Sequence, residues 1–238
     1  MTFDMTEIKN VKVYDLAESV VASGLAMRTD PYDYEQEKKN IDKHLKRCFK
    51  LVRASKESNV HCHDNFLTGI RVSFDIKYPQ YLSPEMQRYH FFDIVTSMSK
   101  MHRLSEMQLK ECCNKYVSPD IIRLAQIHVN NYNRILADST IENFKYWTYL
   151  GTYESCINVE GRKDALYSAF MAMVSNCPAG LELWMRVSTN YKQLQTIYWQ
   201  RYNHKLKEDW GAVIKMIEAL PYFEELIIGQ GKASSNTI

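Results

Sequence analysis

No stretch of this 238-residue chain holds the roughly 18 consecutive apolar residues of a membrane-crossing helix. Charge of one sign is not in excess either. Thirty Lys and Arg against 28 Asp and Glu leave +2, too balanced for bulk adhesion to nucleic acid. There is no G-x-G-x-x-G and no P-loop, which disfavours the nucleotide folds built on those loops. The six cysteines (Cys48, Cys62, Cys112, Cys113, Cys156 and Cys177) include no C-x-x-C pair. Cys112 and Cys113 are adjacent, a poor disulfide geometry, so reduced thiols in a cytosol are expected. His61-Cys62-His63 is one short cluster with no second pair at a zinc-like spacing, so no metal site is expected. The opening MTFDMTEIKN has neither a basic n-region nor an apolar h-region; a cytoplasmic chain with no membrane contact is the expectation. Linkers rich in Pro or Gly, repeats and low-complexity blocks are also missing.

What is present is 45% apolar composition, enough for one large core or two small ones. Lys9 to Leu16 alternates apolar and polar and predicts a strand. Ile41, Leu45, Phe49 and Val52 recur at helical spacing, which predicts an amphipathic helix from Tyr34 to Ala54. From Thr68 to Tyr78, Ile70, Val72, Phe74 and Ile76 take one face and Arg71, Ser73, Asp75 and Lys77 the other, the clearest strand of the chain. Helices are predicted to start near 84 and 119, after Ser83-Pro84-Glu85 and Ser118-Pro119-Asp120, and near 106, after the capping box Ser105 to Gln108. Arg162 to Ser175 and Asp209 to Leu220 are further helices, and Leu183 to Ser188 is a short strand. The sum is a single α+β domain over 1–228 with a loose tail over 229–238.

The segment TNYKQLQTIYWQRYNHKLKEDW, Thr189 to Trp210, predicts a helix with an unusual cation. Asn190 and Arg201 are eleven positions apart, about three turns plus 20°, and so share a face about 16 Å apart along the axis. Lys205 and Lys207 read as solvated charge. Arg201 points along an apolar stripe, where a guanidinium needs either a carboxylate inside the protein or an anionic ligand from outside.

Two separated blocks carry a resemblance. In the first, His61-Cys62-His63-Asp64 precedes the 68–78 strand, Pro79 closes it, Arg88-Tyr89-His90 follows nine residues later, and Ser99-Lys100-Met101-His102 comes after. In the second, the 183–188 strand leads into Asn190-Tyr191-Lys192, then Arg201, then Trp210. In order and spacing these blocks are similar to the flavin-dependent thymidylate synthases, and the chain looks like small phage-encoded relatives of that family. The resemblance implies a thymidylate synthase-complementing-like fold, a small twisted sheet with many flanking helices, assembled as a homotetramer. It implies FAD between subunits, a pyrimidine nucleotide such as dUMP stacked on the flavin, and transfer of a one-carbon unit from methylenetetrahydrofolate with hydride from NADPH. By the same resemblance His63, Arg88, Asn190 and Lys192 contact the cofactor. Arg88, Ser99 and Arg201 bind the substrate, and Arg201 and Ser99 are the catalytic candidates.

The chain departs from the family pattern where a helix would carry Arg-His-Arg, since Tyr89 and His90 follow Arg88. Met101-His102 replaces an Arg-Tyr pair, and Lys192 replaces an Arg, losing the planar fork. These departures support an alternative: a catalytically inactive phage protein that reuses the fold to bind a host protein or a nucleotide. A weaker third option is nucleic-acid binding through Arg201, His204, Lys205 and Lys207 with Tyr198 and Trp199. Plain structural roles stand beside these. His63 can hydrogen-bond a strand-end carbonyl, and His90 can be a buried neutral imidazole as readily as a ligand. Phe91, Phe92, Tyr198 and Trp199 read as core; Met98, Met101 and Met107 read as packing or a subunit contact.

Overall fold

Alternation of apolar and polar residues builds the central strand. In the computed structural model, which describes residues 6–57, 63–148, 151–154 and 159–230, that strand runs from Arg71 to Pro79. Val72, Phe74, Ile76 and Tyr78 are buried and the intervening side chains are not. In chain order the elements are β1 (Glu7–Tyr14), α1 (Leu16–Ala22), α2 (Tyr34–Lys38), α3 (Ile41–Glu57), β2 (Arg71–Pro79), α4 (Ser83–Met86) and β3 (Phe92–Ser97). Then come α5 (Lys100–Arg103), α6 (Leu109–Cys112), α7 (Pro119–Ala137), β4 (Lys145–Thr148), β5 (Gly151–Glu154) and α8 (Arg162–Ser175). β6 (Glu182–Asn190), α9 (Tyr191–Arg201) and α10 (Lys207–Glu218) follow, with a π-turn at Phe223–Ile228. The class is α+β: an open antiparallel sheet in the order β1-β2-β6-β3, a separate β4–β5 hairpin, and many helices. Among the described residues no helix is long and apolar enough to cross a membrane.

The chain divides into two compact units. The first comprises the described residues up to Ile76, Glu85–Thr96, and those from Arg186 onward; the second comprises Lys77–Pro84 and Ser97–Met185. In the first, α3 buries Leu45, Cys48 and Val52 along one stripe and packs on α1. Arg47 closes that contact: its Nη2 donates to the Val20 and Val21 carbonyls at 3.2 Å, beside the Ser23 hydroxyl and the Gly24 N–H that also donate to them at the C-terminus of α1. Tyr191, Leu194 and Ile197 of α9 and Trp210, Val213 and Ile217 of α10 are buried. In the second unit α7 packs on α8 through Ile135, Ala165, Ala169 and Ala172; small residues at i, i+4 and i+7 let the helices approach.

Several boundaries differ from expectation. The 34–54 helix is two, α2 and α3, parted at Lys39-Asn40. The helices predicted near 84 and 106 shrink to single turns. Leu104 and Leu109 are both buried, yet in one continuous helix they would lie about 140° apart, so a 3₁₀ turn at Leu104–Glu106 and a separate α6 replace it. β3 was not anticipated: after Phe92 its side chains are exposed on both faces, so it lacks the burial alternation of β2. Phe91 and Trp199, expected in the core, are 51% and 56% exposed, whereas Phe92 and Tyr198 are buried. His61, Cys62, Cys156 and most of the tail lie outside the described residues.

Candidate functional site

The site is assembled around α9. Asn190, the last residue of β6, turns the chain into the helix: its Oδ1 accepts from the Gln193 N–H at 2.8 Å, satisfying one of the free donors of the first turn. The end of β6 and the helix then grip the turn before β3. The Gln193 amide oxygen accepts from the Phe91 N–H at 3.3 Å, and the Thr189 hydroxyl donates to the Phe91 carbonyl at 2.7 Å. The Tyr89 hydroxyl donates to Gln200 Oε1 at 3.1 Å. Because Tyr89 is buried and pinned, its neighbours Arg88 and His90 are turned outward and exposed. The triplet therefore sits in a turn, not on the helix implied by the resemblance, and His90 is not buried.

Arg201 ends α9 with its side chain only 14% exposed, and the partner its position demands is internal. Nη1 lies 3.0 Å from Glu85 Oε2, Nε donates to the Tyr89 hydroxyl at 2.7 Å, and the guanidinium stacks 4.6 Å from the Trp210 ring centroid. The same Glu85 oxygen accepts the Trp210 indole N–H at 2.9 Å. His204 Nε2 stands 2.8 Å from Arg201 Nη1, while its Nδ1 accepts from the Leu206 N–H at 3.3 Å. A neutral imidazole accepts at one nitrogen only, so these two contacts compete. Burial raises the Tyr89 hydroxyl's pKa, and the bond from Arg201 opposes that rise. No described residue accepts from Arg201 Nη2.

Arg88, Tyr89, His90, Gln193, Thr196, Gln200 and Arg201 line one open cleft of about 410 Å³. The two arginines proposed from separate blocks thus meet at one cavity. They differ in state: Arg201 is paired with Glu85, and Arg88 has no ion-pair partner among the described residues.

The remaining predicted residues are placed as follows. Lys192 Nζ is 2.5 Å from Asp64 Oδ2, whose side chain is 1% exposed, and contacts Gln195 Oε1 at 3.4 Å. His63 has an exposed ring, and its backbone N–H donates to Ser55 Oγ at 3.2 Å. Ser99 belongs to the second unit, where its Oγ caps α5 by accepting from the His102 N–H at 3.3 Å. Within the first unit Lys56 donates to the Ile227 carbonyl at 2.8 Å and to that of Ile228, closing the π-turn ahead of Gly229 at φ 77°. Burial pulls the Lys56 ammonium down to about 8; Asp64 opposes the shift and Lys192 adds to it.

Sequence reasoning missed Glu85, Gln193, Gln200 and Lys56. Glu85 carried one signal, an acid in a helix first turn, which says nothing of a partner on a distant helix.

No protein-family model matches the sequence, and no curated protein matches it. The fold, however, is that of the flavin-dependent thymidylate synthases. A crystal structure of flavin-dependent thymidylate synthase ThyX from Helicobacter pylori complexed with FAD and dUMP matches with a TM-score of 0.58 at 15% identity, covering 93% of this chain and 97% of that one. A second structure of thymidylate synthase X from Helicobacter pylori, also with FAD and dUMP, gives 0.52 at 14% identity over 93% and 95%.

Proposed function

We propose that the cleft between the 88–90 turn and α9 binds a pyrimidine nucleotide of the dUMP kind, in a flavin-dependent thymidylate-synthase-like protein. One observation carries this reading: Arg88 and Arg201 line the same cleft, in a fold whose solved neighbours hold FAD and dUMP. Arg88, exposed and unpaired among the described residues, offers a planar fork to a phosphate. Arg201, held from two sides, keeps Nη2 for a carbonyl oxygen of the base, where a fixed donor stabilises developing negative charge. Flavin, when bound, supplies redox chemistry, with methylenetetrahydrofolate as carbon source and NADPH as hydride source. Of the residues assigned to flavin, Arg88 and His63 fit, with exposed side chains; Asn190 and Lys192 are committed to Gln193 and Asp64. Ser99 is the proposed hydroxyl near the nucleotide. A cytoplasmic homotetramer belongs to the same reading.

The internal pairing of Lys192 and Arg201 favours a second reading, a descendant that binds a nucleotide or a host protein without transferring carbon. Calorimetric titration of dUMP into the wild type and Arg88→Ala tests the first. One charge-assisted contact is worth about 1.5–3 kcal/mol, so affinity should fall roughly ten- to a hundredfold while the melting temperature holds. Equal affinity in both proteins overturns the assignment of Arg88. Formation of dTMP with methylenetetrahydrofolate, NADPH and FAD present rejects the second reading.

A further inference from the structure

The Glu85 carboxylate is an internal anion already seated on Arg201. It holds Nη1 at 3.0 Å and is itself anchored by the Trp210 indole at 2.9 Å, while Tyr89 holds Nε. The guanidinium lies against Trp210, a residue that is 1% exposed, so it cannot swing toward a second anion without breaking its contacts to Glu85, Tyr89, Trp210 and His204. Resting on the nucleotide reading above, we infer that Glu85 is a specificity-determining positioning residue: it cancels the charge of Arg201 and converts the cleft from a phosphate grip into a base reader. A phosphate placed at Arg201 meets the Glu85 carboxylate as well as the guanidinium, so attraction and repulsion largely cancel. An uncharged carbonyl on the base still receives an N–H from Nη2 and feels little of that repulsion. The rest of the lining is polar and uncharged at Gln193, Thr196 and Gln200, with His90 and the one unpaired guanidinium, Arg88. The ligand class is therefore a pyrimidine nucleoside or its monophosphate, with the phosphate adding only what Arg88 supplies.

The test compares dUMP, deoxyuridine and inorganic phosphate on the full-length wild type and Glu85→Gln, with melting curves alongside. The glutamine amide keeps the shape and the oxygen facing Trp210 but removes the charge. In the wild type dUMP should bind no more than about a hundredfold tighter than deoxyuridine, the limit of one charge-assisted contact. In Glu85→Gln the preference for dUMP should rise a further tenfold or so, with deoxyuridine unchanged. Arg201→Gln should weaken both ligands by the same factor and leave their ratio alone. An unchanged ratio in Glu85→Gln, with dUMP bound normally, overturns the role of Glu85 and leaves nucleotide binding intact. Failure of dUMP and deoxyuridine alike to bind either protein, with phosphate affinity raised in Glu85→Gln, overturns the nucleotide reading and upholds the charge cancellation. Failure of dUMP and deoxyuridine with no gain for phosphate overturns both.

Discussion

Replacing Lys192 with methionine should destabilise the protein more than any exposed lysine could. The ammonium lies 2.5 Å from Asp64 Oδ2. The other carboxylate oxygen, Oδ1, is buried with no hydrogen-bond partner among the described residues. At that separation and an effective dielectric near 20, the gross attraction is about 6–7 kcal/mol, comparable to the cost of desolvating the two charges. The intact pair therefore contributes little net stability. Lys192→Met is different, because the carboxylate stays buried and loses its compensation, a loss of about 3–5 kcal/mol. Lys56 also acts on Asp64 electrostatically, which favours the lower end of that range. For a chain of this size each kcal/mol moves the midpoint by about 2–4 °C, so the drop is about 6–20 °C. The assay is thermal and urea unfolding followed by near-UV dichroism and by tryptophan fluorescence, with Asp64→Asn and the double variant completing a cycle. The double variant should recover part of the loss, since no unpaired charge remains. If Lys192→Met melts with the wild type but no longer retains flavin absorbance, the lysine serves a cofactor and the pairing argument fails.

Lys56→Met should alter the pH dependence of stability. With the folded ammonium near 8 and the unfolded one at its ordinary 10.5, the unfolded chain holds the extra proton between those values, so this lysine makes stability rise with pH across that window. Since the group is half-exposed the effect is discounted to about 1–2 kcal/mol, read as the difference between the urea midpoints of wild type and variant at pH 7.5 and 9.5; equal slopes would refute it. Asn190→Ala should cost about 0.5–2 kcal/mol in the same urea assay by freeing the Gln193 N–H, whereas Asn190→Gly should cost less; an alanine variant as stable as wild type would mean the cap contributes nothing.

How far the fold was legible follows from which forces write themselves locally. β2 was plain because one face is buried and one is not, so the period of two survives in the sequence. α8 ran from Arg162 to Ser175 as expected, even though it is apolar almost all round, because Gly161 and the Cys177-Pro178 turn bound it. β3 was illegible for the opposite reason: an edge strand wet on both sides carries no burial alternation. In the candidate site, Arg88 and Asn190 were named from the resemblance, while helical spacing put Asn190 and Arg201 on one face, and the need of Arg201 for an acid or a ligand followed from its stripe. Which acid answered was not readable. Glu85 and Arg201 are joined by tertiary packing, which leaves no trace in local spacing.

That missing half decides the chemistry. The resemblance assigned Lys192 and Arg201 to a cofactor and a nucleotide, but a cation's availability depends on whether the protein has already neutralised it. Each is met by a carboxylate, Asp64 for Lys192 and Glu85 for Arg201. Each carboxylate is further constrained: Asp64 by complete burial, Glu85 by the Trp210 indole. Withdrawing either from its cation leaves an uncompensated charge in or near the interior, so a ligand phosphate has to repay that cost before it gains anything. Arg88 carries no such debt, because the turn that buries Tyr89 leaves its neighbour exposed. On the proposed nucleotide reading, the two arginines of one cleft would therefore act unequally, Arg88 through its charge and Arg201 through its direction.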